Sequence, residues 1–417
     1  MRRGSLLLAV CLAVAFDRGA RAEDWPQFRG PRRDSTWEEE FRPGGLKVEW
    51  KHPAGGGWAS PVVASGRVFV FDVELVKPAR ERLRCFDVKT GKVIWDFSYV
   101  EPYGDWAYVP ERGAGPTATP IVEGDRIYAV GANGWTHCLD CRSGKLIWEK
   151  RIGKELEVAE MSCRPSPLID GSLLIVFTGA KPGASVMALD KKTGKEVWRS
   201  LDDTVSNSSP IVISSGTKRQ MIVWSANALT SLDPASGGVF WREAMTTSGN
   251  DSAATPVFQD GKLLVSGLML DVRFDPPTGD ILWPKERGPS KRLLSNTSTA
   301  VMRGEHIYGA RGSGELVCLE VRTGREVWST NSITSLKNGA SIHIVAQGGG
   351  YFLFTDEGNL IRAEMSPAGY REVSRARLIY PVYEFAGHKL VWAPPAFANG
   401  RVFVRSEGEV VCGSLKQ

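Results

Sequence analysis

The 417-residue chain is poor in the residue patterns that build catalytic and metal sites. No H-E-x-x-H, G-x-S-x-G, P-loop or C-x-x-C-H motif occurs, and no G-x-G-x-x-G opens a helical pattern. Its five histidines fall in different parts of the chain: His52, His137, His306, His343 and His388. We therefore assign no catalytic residue and no metal ligand from motifs.

The chain also lacks a strong excess of charge and a long hydrophobic run. Residues 1–22 hold four of its 52 basic and one of its 47 acidic residues. The rest of the chain therefore has 48 basic and 46 acidic residues, a net charge of only +2. Nucleic acid is therefore not an expected partner. The apolar run 6–16 is too short to span a membrane but, with the basic residues before it and Ala20-Arg21-Ala22 after it, is typical of a secretory signal. We expect residues 1–22 to be a signal peptide and the mature protein to be periplasmic or associated with the cell envelope, without a transmembrane segment.

One hexapeptide, Thr/Ser-Gly-x-x-x-Trp, is abundant instead. Its six copies are Thr90–Trp95, Ser143–Trp148, Thr193–Trp198, Ser236–Trp241, Thr278–Trp283 and Thr323–Trp328. Successive tryptophans are 53, 50, 43, 42 and 45 residues apart. A period in the forties with strand-like alternation within each unit predicts a β-propeller.

Each unit has the pattern of four short strands, A to D, which in the first unit are 60–63, 67–70, 83–87 and 92–95. The A strands begin near Ser60, Thr119, Ser166, Ser209, Thr255, Thr299, Ala340 and Pro395. The sequence therefore predicts an all-β, eight-bladed propeller of four-stranded antiparallel blades. The seventh unit is degenerate, because Ser366–Tyr370 replaces the Thr-Gly turn and no tryptophan follows.

The eighth unit ends after three strands, and residues 46–50 are predicted to supply the fourth and close the ring. Trp50 precedes Trp95 by 45 residues, in step with the repeat. We thus divide the chain into the signal peptide 1–22, an irregular N-terminal arm 23–45 held by Trp25 and Phe28, and a single propeller 46–417.

The repeated residues have a structural interpretation. A carboxylate four residues before each turn glycine accepts backbone N–H groups of the C–D turn: Asp87, Asp140, Asp190, Asp233, Asp275 and, as a variant, Glu320. The glycine takes the positive φ of that turn: Gly91, Gly144, Gly194, Gly237, Gly279 and Gly324. The tryptophan covers the seam between blades: Trp50, Trp95, Trp148, Trp198, Trp241, Trp283 and Trp328.

Six cysteines remain after the signal peptide. Four stand at matching repeat positions, which are a blade apart and too distant for disulfides: Cys85, Cys138, Cys318 and Cys412. They are predicted to pack as small apolar residues. Cys138 and Cys141 form a C-x-x-C, for which packing is favoured over a redox or zinc role because no second pair exists.

Two places break the repeat and are candidate sites. The B–C and D–A loops vary, and the loop 96–115 carries the partner-binding candidates Tyr99, Tyr103, Trp106 and Tyr108. These rings suit a protein or a sugar, although the loop could equally be packed by its own rings.

The starts of the A strands are expected to surround the axis, where the candidates for a small ligand or a cation are Arg164, Asn207, Asp251, Asn296 and Asn338. The alternative is a polar channel lined by water and capped strand ends.

The unit Leu-x-Ala/Cys-Leu-Asp-x-x-Thr-Gly-Lys-x-x-Trp resembles the repeat of pyrroloquinoline quinone (PQQ)-type β-propellers, from about Leu46 to the C-terminus. Residues 24–31, Asp-Trp-Pro-Gln-Phe-Arg-Gly-Pro, are similar to the opening of an exported bacterial group of PQQ-like or BamB-like proteins. The resemblance implies either a quinoprotein alcohol dehydrogenase with PQQ, calcium and an Asp base, or a cofactor-free interaction scaffold. This chain lacks the adjacent cysteine pair, the length and the haem motif of the dehydrogenases, so no catalytic residue carries over.

We therefore expect an exported, non-catalytic scaffold that binds a protein or another cell-envelope macromolecule and needs no cofactor. One alternative is an oxidoreductase that binds PQQ with calcium over the channel. The other is a carbohydrate-binding propeller that uses the aromatic residues of the loop 96–115.

Overall fold

The computed structural model describes residues 23–39, 43–109, 113–245, 252–285, 293–295 and 297–416. The predicted signal peptide 1–22 and the candidates Asp251 and Asn296 lie outside the described residues. The chain forms eight blades of four antiparallel strands, which confirms the predicted propeller. None of the helices in the described part is both long and apolar enough to cross a membrane.

Two strands precede the first blade, β1 (Thr36–Trp37) and β2 (Pro43–Pro53). Blades 1 and 2 consist of β3 (Val62–Ala64), β4 (Arg67–Glu74), β5 (Arg80–Asp87), β6 (Val93–Val100), β7 (Ile121–Glu123), β8 (Arg126–Val130), β9 (Trp135–Asp140) and β10 (Leu146–Arg151). Blades 3 and 4 consist of β11 (Leu168–Asp170), β12 (Leu173–Ala180), β13 (Ala184–Asp190), β14 (Glu196–Ser200), β15 (Ile211–Ser215), β16 (Lys218–Trp224), β17 (Ala228–Leu232) and β18 (Val239–Ala244). Short 3₁₀ turns occur at Asp105–Tyr108 and Ile152–Lys154.

Blades 5 and 6 consist of β19 (Val257–Gln259), β20 (Lys262–Val265), β21 (Leu268–Phe274), β22 (Pro277–Trp283), β23 (Val301–Arg303), β24 (His306–Ala310), β25 (Leu316–Glu320) and β26 (Glu326–Thr330). Blade 7 consists of β27 (Ile342–Gln347), β28 (Gly350–Thr355), β29 (Asn359–Ser366) and β30 (Gly369–Arg377). A hairpin, β31 (Tyr383–Phe385) and β32 (His388–Leu390), lies between it and blade 8, whose later strands are β33 (Ala396–Ala398), β34 (Arg401–Arg405) and β35 (Glu409–Lys416).

The eighth blade is closed by the N-terminal strand, as predicted. β2 pairs antiparallel with β35, with Trp50 opposite Cys412, and it begins at Pro43, three residues before the predicted Leu46. Arg401 of β34 also pairs with Glu49 of β2, at 2.6 Å between Nε and Oε2. The pairing leaves no open edge between the two ends of the sheet ring.

At the outer rim, six of the seven repeat tryptophans pack across a blade seam onto a glycine of the next blade. A Cβ atom on Gly91 would lie 2.6 Å from the Trp50 ring, and the Trp50 Nε1–H donates to the Val88 carbonyl at 3.1 Å. Similar ring-on-glycine packing recurs for the pairs Trp95/Gly144, Trp148/Gly194, Trp198/Gly237, Trp241/Gly279 and Trp283/Gly324. A glycine is therefore needed here for close approach, and for the positive φ of +66° at Gly91.

The predicted carboxylate of the C–D turn is seen in blade 1. Asp87 Oδ1 accepts the N–H groups of Lys89 and Thr90 at 3.1 and 2.8 Å and the Thr90 hydroxyl at 2.8 Å. These bonds, the hydroxyl first, lower the pKa of Asp87 below its ordinary value. Asp140 and Asp190 make the same three bonds in blades 2 and 3.

The fifth blade differs from the prediction. Its turn lies at Asp275–Pro276, because β21 ends at Phe274 and β22 begins at Pro277, and Gly279 pairs with Val272 inside the ladder. The prediction that Asp275 caps a turn and that Gly279 takes a positive φ was wrong. The reason is chemical: the second residue after Asp275 is Pro277, which has no N–H to donate.

The arm crosses the end of the ring at which the A strands finish. Trp25 exchanges backbone hydrogen bonds with Val63 of blade 1, both at 2.8 Å, and its side chain is buried. β1 pairs in parallel with β27 of blade 7, Thr36 opposite Ala346, and Trp37 is buried beside it. The prediction named Trp25 and the half-buried Phe28 as anchors and missed Trp37.

The cysteines pack as predicted. The six that follow residue 22 are all buried and free: Cys85, Cys138, Cys141, Cys163, Cys318 and Cys412. Burial raises the pKa of the Cys85 thiol to about 12 and that of Cys138 to about 11, which disfavours the reactive thiolate.

Candidate functional site

A cavity of about 480 Å³ lies among the inner ends of the blades. Its polar wall consists of residues that come before the A strands of blades 2, 3, 4, 6 and 7: Thr117, Arg164, Ser166, Asn207, Ser209, Thr297, Thr299, Asn338 and Ser341. Several of these hydroxyls also join blades, since Ser166 Oγ accepts the Thr119 N–H and Ser209 Oγ accepts the Ser166 N–H, at 3.0 and 2.9 Å. The volume falls in the range of small-molecule sites.

The structure brings three of the five axial candidates together at this cavity. Arg164, Asn207 and Asn338 line it, and Arg164 Nη1 donates to Asn207 Oδ1 at 3.4 Å. The Arg164 Nε–H donates to the Met161 carbonyl at 2.8 Å, which holds the guanidinium at the wall. Asp251 and Asn296 belong to the segments outside the described residues.

The opposite wall is aromatic, and sequence reasoning missed it. The Trp58 ring lies 5.3 Å from Tyr383 and 5.1 Å from Trp392, between centroids and nearly edge to face, and Phe385 lies 4.9 Å from Trp392. All four rings line the cavity. A signal was present, because Trp58 and Trp392 each stand four residues before an A strand, off the register of the rim tryptophans.

Two glycines let the backbone approach this wall. A Cβ atom on Gly113 would lie 2.6 Å from both Trp58 and Tyr383, and one on Gly339 would lie 2.9 Å from Phe385. Both glycines have positive φ, +62° and +81°. The aromatic wall is therefore fixed by the linkers that precede blades 2 and 7.

The arm forms the floor of the cavity. Trp25, Phe28, Arg29 and Ser35 line it, and the Arg29 Nε–H donates to Ser35 Oγ at 2.9 Å. Burial lowers the pKa of Arg29 to about 10, which still leaves the guanidinium charged at neutral pH. Below it, Arg33 donates to the carbonyls of Pro167 and Pro210 in blades 3 and 4, at 2.8 and 3.2 Å.

The aromatic loop divides into a buried part and an exposed part. Tyr99 and Tyr103 are buried and donate their hydroxyls to Glu81, so these two candidates are packed inside the protein and do not reach a partner. Trp106 is 38% exposed at the cavity, and its Nε1–H donates to Glu160 at 2.9 Å. Tyr108 is half-buried, and its oxygen accepts the Ala79 N–H at 3.2 Å. A partner role of this loop therefore rests on Trp106, with Tyr108 beside it.

Beneath the loop, Glu81 is fully enclosed at the seam of blades 1 and 2. Besides the two tyrosine hydroxyls it accepts the Ala132 N–H at 3.0 Å. Burial raises the pKa of Glu81 to about 7, although these hydrogen bonds alone would lower it. His137 lies 4.3 Å from the Tyr99 ring and burial lowers its pKa to about 3, so it is neutral. This cluster is closed to solvent and holds the loop in place.

Among the described residues, no group of three His, Cys, Asp or Glu side chains is arranged to hold a metal ion. The described residues that line the cavity likewise include two arginines and no carboxylate. They favour an anion over a cation.

A family model described as outer membrane protein assembly factor BamB matches residues 79–269 and 271–361. The chain is 26% identical over 242 residues to the outer membrane protein assembly factor BamB of Burkholderia pseudomallei, covering 54% of this chain and 58% of that one. It is 22% identical over 344 residues to the BamB of Shewanella oneidensis, covering 78% and 74%. The chain thus spans little more than half of the first relative.

Solved structures share the fold. The crystal structure of BamB from Moraxella catarrhalis has a TM-score of 0.63 at 17% identity and covers 90% of this chain and 99% of that one. Quinohemoprotein alcohol dehydrogenase from Comamonas testosteroni has a TM-score of 0.65 at 13% identity and covers 94% and 80%. At these identities the likeness shows the architecture alone.

Proposed function

This chain belongs to the family described as outer membrane protein assembly factor BamB, and on that premise we propose that it is an exported, non-catalytic scaffold that binds a protein partner of the cell envelope. The partner belongs, on this proposal, to outer-membrane protein assembly, the process in the names of its relatives. Neither a cofactor nor a catalytic residue is needed for this role.

The observation that carries the proposal is the apolar surface around the cavity. We call the side of the ring that carries the B–C and D–A loops the loop face. Seven exposed large apolar side chains lie in or beside these loops: Val76, Val100, Trp106, Val109, Leu336, Tyr380 and Val382. Trp106 and Tyr380 are the aromatic members, and Trp and Tyr are enriched among the few residues that carry most of the binding energy at protein interfaces. An apolar surface around a concave centre favours a protein partner.

A second set of exposed apolar residues offers an internal control. These residues lie on the outermost strands of the blades, and Val239 and Phe240 on β18 are examples. They occur at equivalent positions in unit after unit, so the repeat explains them without a partner. Binding through the loop face and binding through the rim therefore predict different contact residues.

Site-specific photo-crosslinking in the cell envelope separates the two. With p-benzoylphenylalanine in place of Trp106 we expect a discrete crosslinked protein, and with the same residue in place of Phe240 we expect none. The double variant Trp106→Ala/Tyr380→Ala should weaken capture of that protein at least tenfold, because it removes two exposed anchors. The matched control Val239→Ser/Phe240→Ser should leave capture unchanged. Crosslinking at 240 alone, or full capture by the loop-face double variant, would refute the proposal.

The alternative function is a PQQ- and calcium-dependent oxidoreductase, favoured by the cavity on the axis and by the quinoprotein fold. The described residues do not fit PQQ and calcium. The cavity wall that they form carries no carboxylate for calcium, and the free cysteines are not adjacent, unlike the cysteine pair of the quinoprotein dehydrogenases. Titration of the mature protein with PQQ and calcium, followed by absorbance and thermal shift, decides between the two. A saturable one-to-one shift in melting temperature would support the oxidoreductase and contradict the scaffold, and a flat response would exclude a PQQ-dependent enzyme.

A further inference from the structure

The floor of the cavity carries a buried charge whose hydrogen-bond donors are not all satisfied by the surrounding protein. Arg29 is 6% exposed, and its Nη2 atom has no hydrogen-bond partner among the described residues. A buried guanidinium that lacks a full set of acceptors is costly unless a ligand or water supplies them. The cavity lies directly against this side chain.

The backbone of the arm holds Arg29 in this position. Arg29 and Ser35 have φ angles of +62° and +60°, which are uncommon for residues with side chains. They are tied to each other, since the Ser35 N–H donates to the Arg29 carbonyl and the Arg29 Nε–H donates to Ser35 Oγ, both at 2.9 Å. The Ser35 carbonyl in turn accepts the Ala346 N–H of blade 7 at 2.9 Å. Such left-handed residues cluster at ligand-binding segments.

The walls add a second kind of recognition. One side presents hydroxyl and amide groups, of which Asn207 and Asn338 face the cavity and Ser341 Oγ is buried without a partner among the described residues. The other side presents Trp58 and Trp392, both half-buried. A sugar ring combines these needs, since its hydroxyl groups bind amides and its C–H face packs on an aromatic ring.

We propose that the axial cavity binds a small cyclic polyol that carries an anionic group, with the carboxylate or phosphate on Arg29 and the ring between the polar wall and Trp58 and Trp392. A guanidinium recognises both anions through paired N–H donors. The cavity, at about 480 Å³, has room for such a molecule. This site differs from the predicted carbohydrate surface of the loop 96–115 in its contacts: the ring packs on Trp58 and Trp392, and of the predicted aromatic residues only Trp106 lines the cavity.

The test is calorimetric titration of the mature protein with D-glucuronate, glucose 6-phosphate and, as the neutral analogue, glucose. We expect one-to-one binding of at least one charged probe and at least tenfold weaker binding of glucose, because a charged hydrogen bond is lost. The ratio between glucuronate and the phosphate ester distinguishes a carboxylate from a phosphate site. Quenching of tryptophan fluorescence provides an independent readout.

The matched pair of variants is Arg29→Gln and Arg32→Gln. Both remove one charge from the arm, but Arg32 is surface-exposed and pairs with Glu23 at 3.1 Å. Arg29→Gln should weaken the charged probes at least tenfold and leave the affinity for glucose unchanged, whereas Arg32→Gln should leave both unchanged. Circular dichroism and melting temperature report whether each variant folds.

If Arg29→Gln fails to fold, Asn338→Ala decides, because this side chain is exposed at the cavity. Several-fold weaker binding of every probe supports the site, and unchanged affinity overturns it. No saturable binding of either charged probe to the wild-type protein would also overturn it. Inorganic phosphate that binds as tightly as glucose 6-phosphate would overturn the role of the ring. These results are independent of partner capture, so the two proposals fail separately.

Discussion

The two ends of strand β5 show how differently the rim and the loop face use the same kind of group. At the rim, Asp87 is solvent-accessible and its pKa is lowered by the hydrogen bonds of a turn. Six residues earlier, Glu81 is enclosed below the aromatic loop and its pKa is raised to about 7. The rim carboxylate recurs in other blades, and the enclosed one does not. Repetition therefore marks groups that build the ring, and departure from it marks groups that shape the candidate site.

The largest effect should separate the two kinds of tryptophan. Trp95→Ala removes a buried ring that packs on Gly144 and donates to the Cys141 carbonyl at 3.2 Å. We expect the free energy of unfolding to fall by about 3–5 kcal/mol. Trp106→Ala, at an exposed site, should cost about 0.5 kcal/mol. Urea denaturation measures both, and equal losses would contradict the distinction between rim and loop face.

The next effect concerns pH. The unfolded pKa of Glu81 is near 4.5 and its folded pKa is about 7, so the protonated carboxyl stabilises the fold fully below pH 4.5 and this stability is lost as the pH rises through 7. The free energy of unfolding should fall by about 3 kcal/mol for this group between pH 4.5 and pH 8. Glu81→Gln should remove this loss, and the exposed control Glu155→Gln should retain it. Parallel pH profiles for wild type and Glu81→Gln would contradict the raised pKa.

A smaller effect should show that the rim glycines are needed for more than their backbone angles. Gly144 and Gly171 both have positive φ, +70° and +58°. A Cβ atom on Gly144 would lie 2.6 Å from the Trp95 ring, whereas one on Gly171 would meet open space. Gly171→Ala should cost about 1 kcal/mol, the left-handed penalty alone. Gly144→Ala should cost about 1–2 kcal/mol more, because the ring must move. Equal melting temperatures would show that the ring yields freely.

The smallest effect should come from the turn carboxylates. Asp190→Ala removes the acceptor of two backbone N–H groups and the Thr193 hydroxyl and should cost about 1 kcal/mol. Asp275→Ala removes an exposed side chain that pairs with Lys218, and should cost about 0–0.5 kcal/mol. Urea denaturation measures the free energy of unfolding of both variants. A larger loss for Asp275→Ala than for Asp190→Ala would indicate that Asp275 caps a turn.

The repeat made the ring predictable, because one side-chain pattern had to satisfy the same contacts in each blade. It failed at Asp275, where two prolines moved the turn. The axis was less predictable, since Arg164, Asn207 and Asn338 were found by position but the aromatic wall was not. Trp58 and Trp392 come together only when blade 8 meets blade 1, a contact between distant parts of the chain. The inward direction of Arg29 depends on a left-handed backbone that no pattern indicates.

The N-terminal arm also bears on the order of folding. Its side-chain and backbone bonds reach blade 1 at Val63, blades 3 and 4 at Pro167 and Pro210, and blade 7 at Ala346. Although the arm precedes all eight blades in the sequence, its hydrogen-bond partners exist together only after most of the ring has assembled. Loop-closure entropy makes such distant contacts slow to form. The arm is thus among the last segments to find its place although it precedes the ring in the sequence, and the floor of the cavity forms only when the ring is nearly complete.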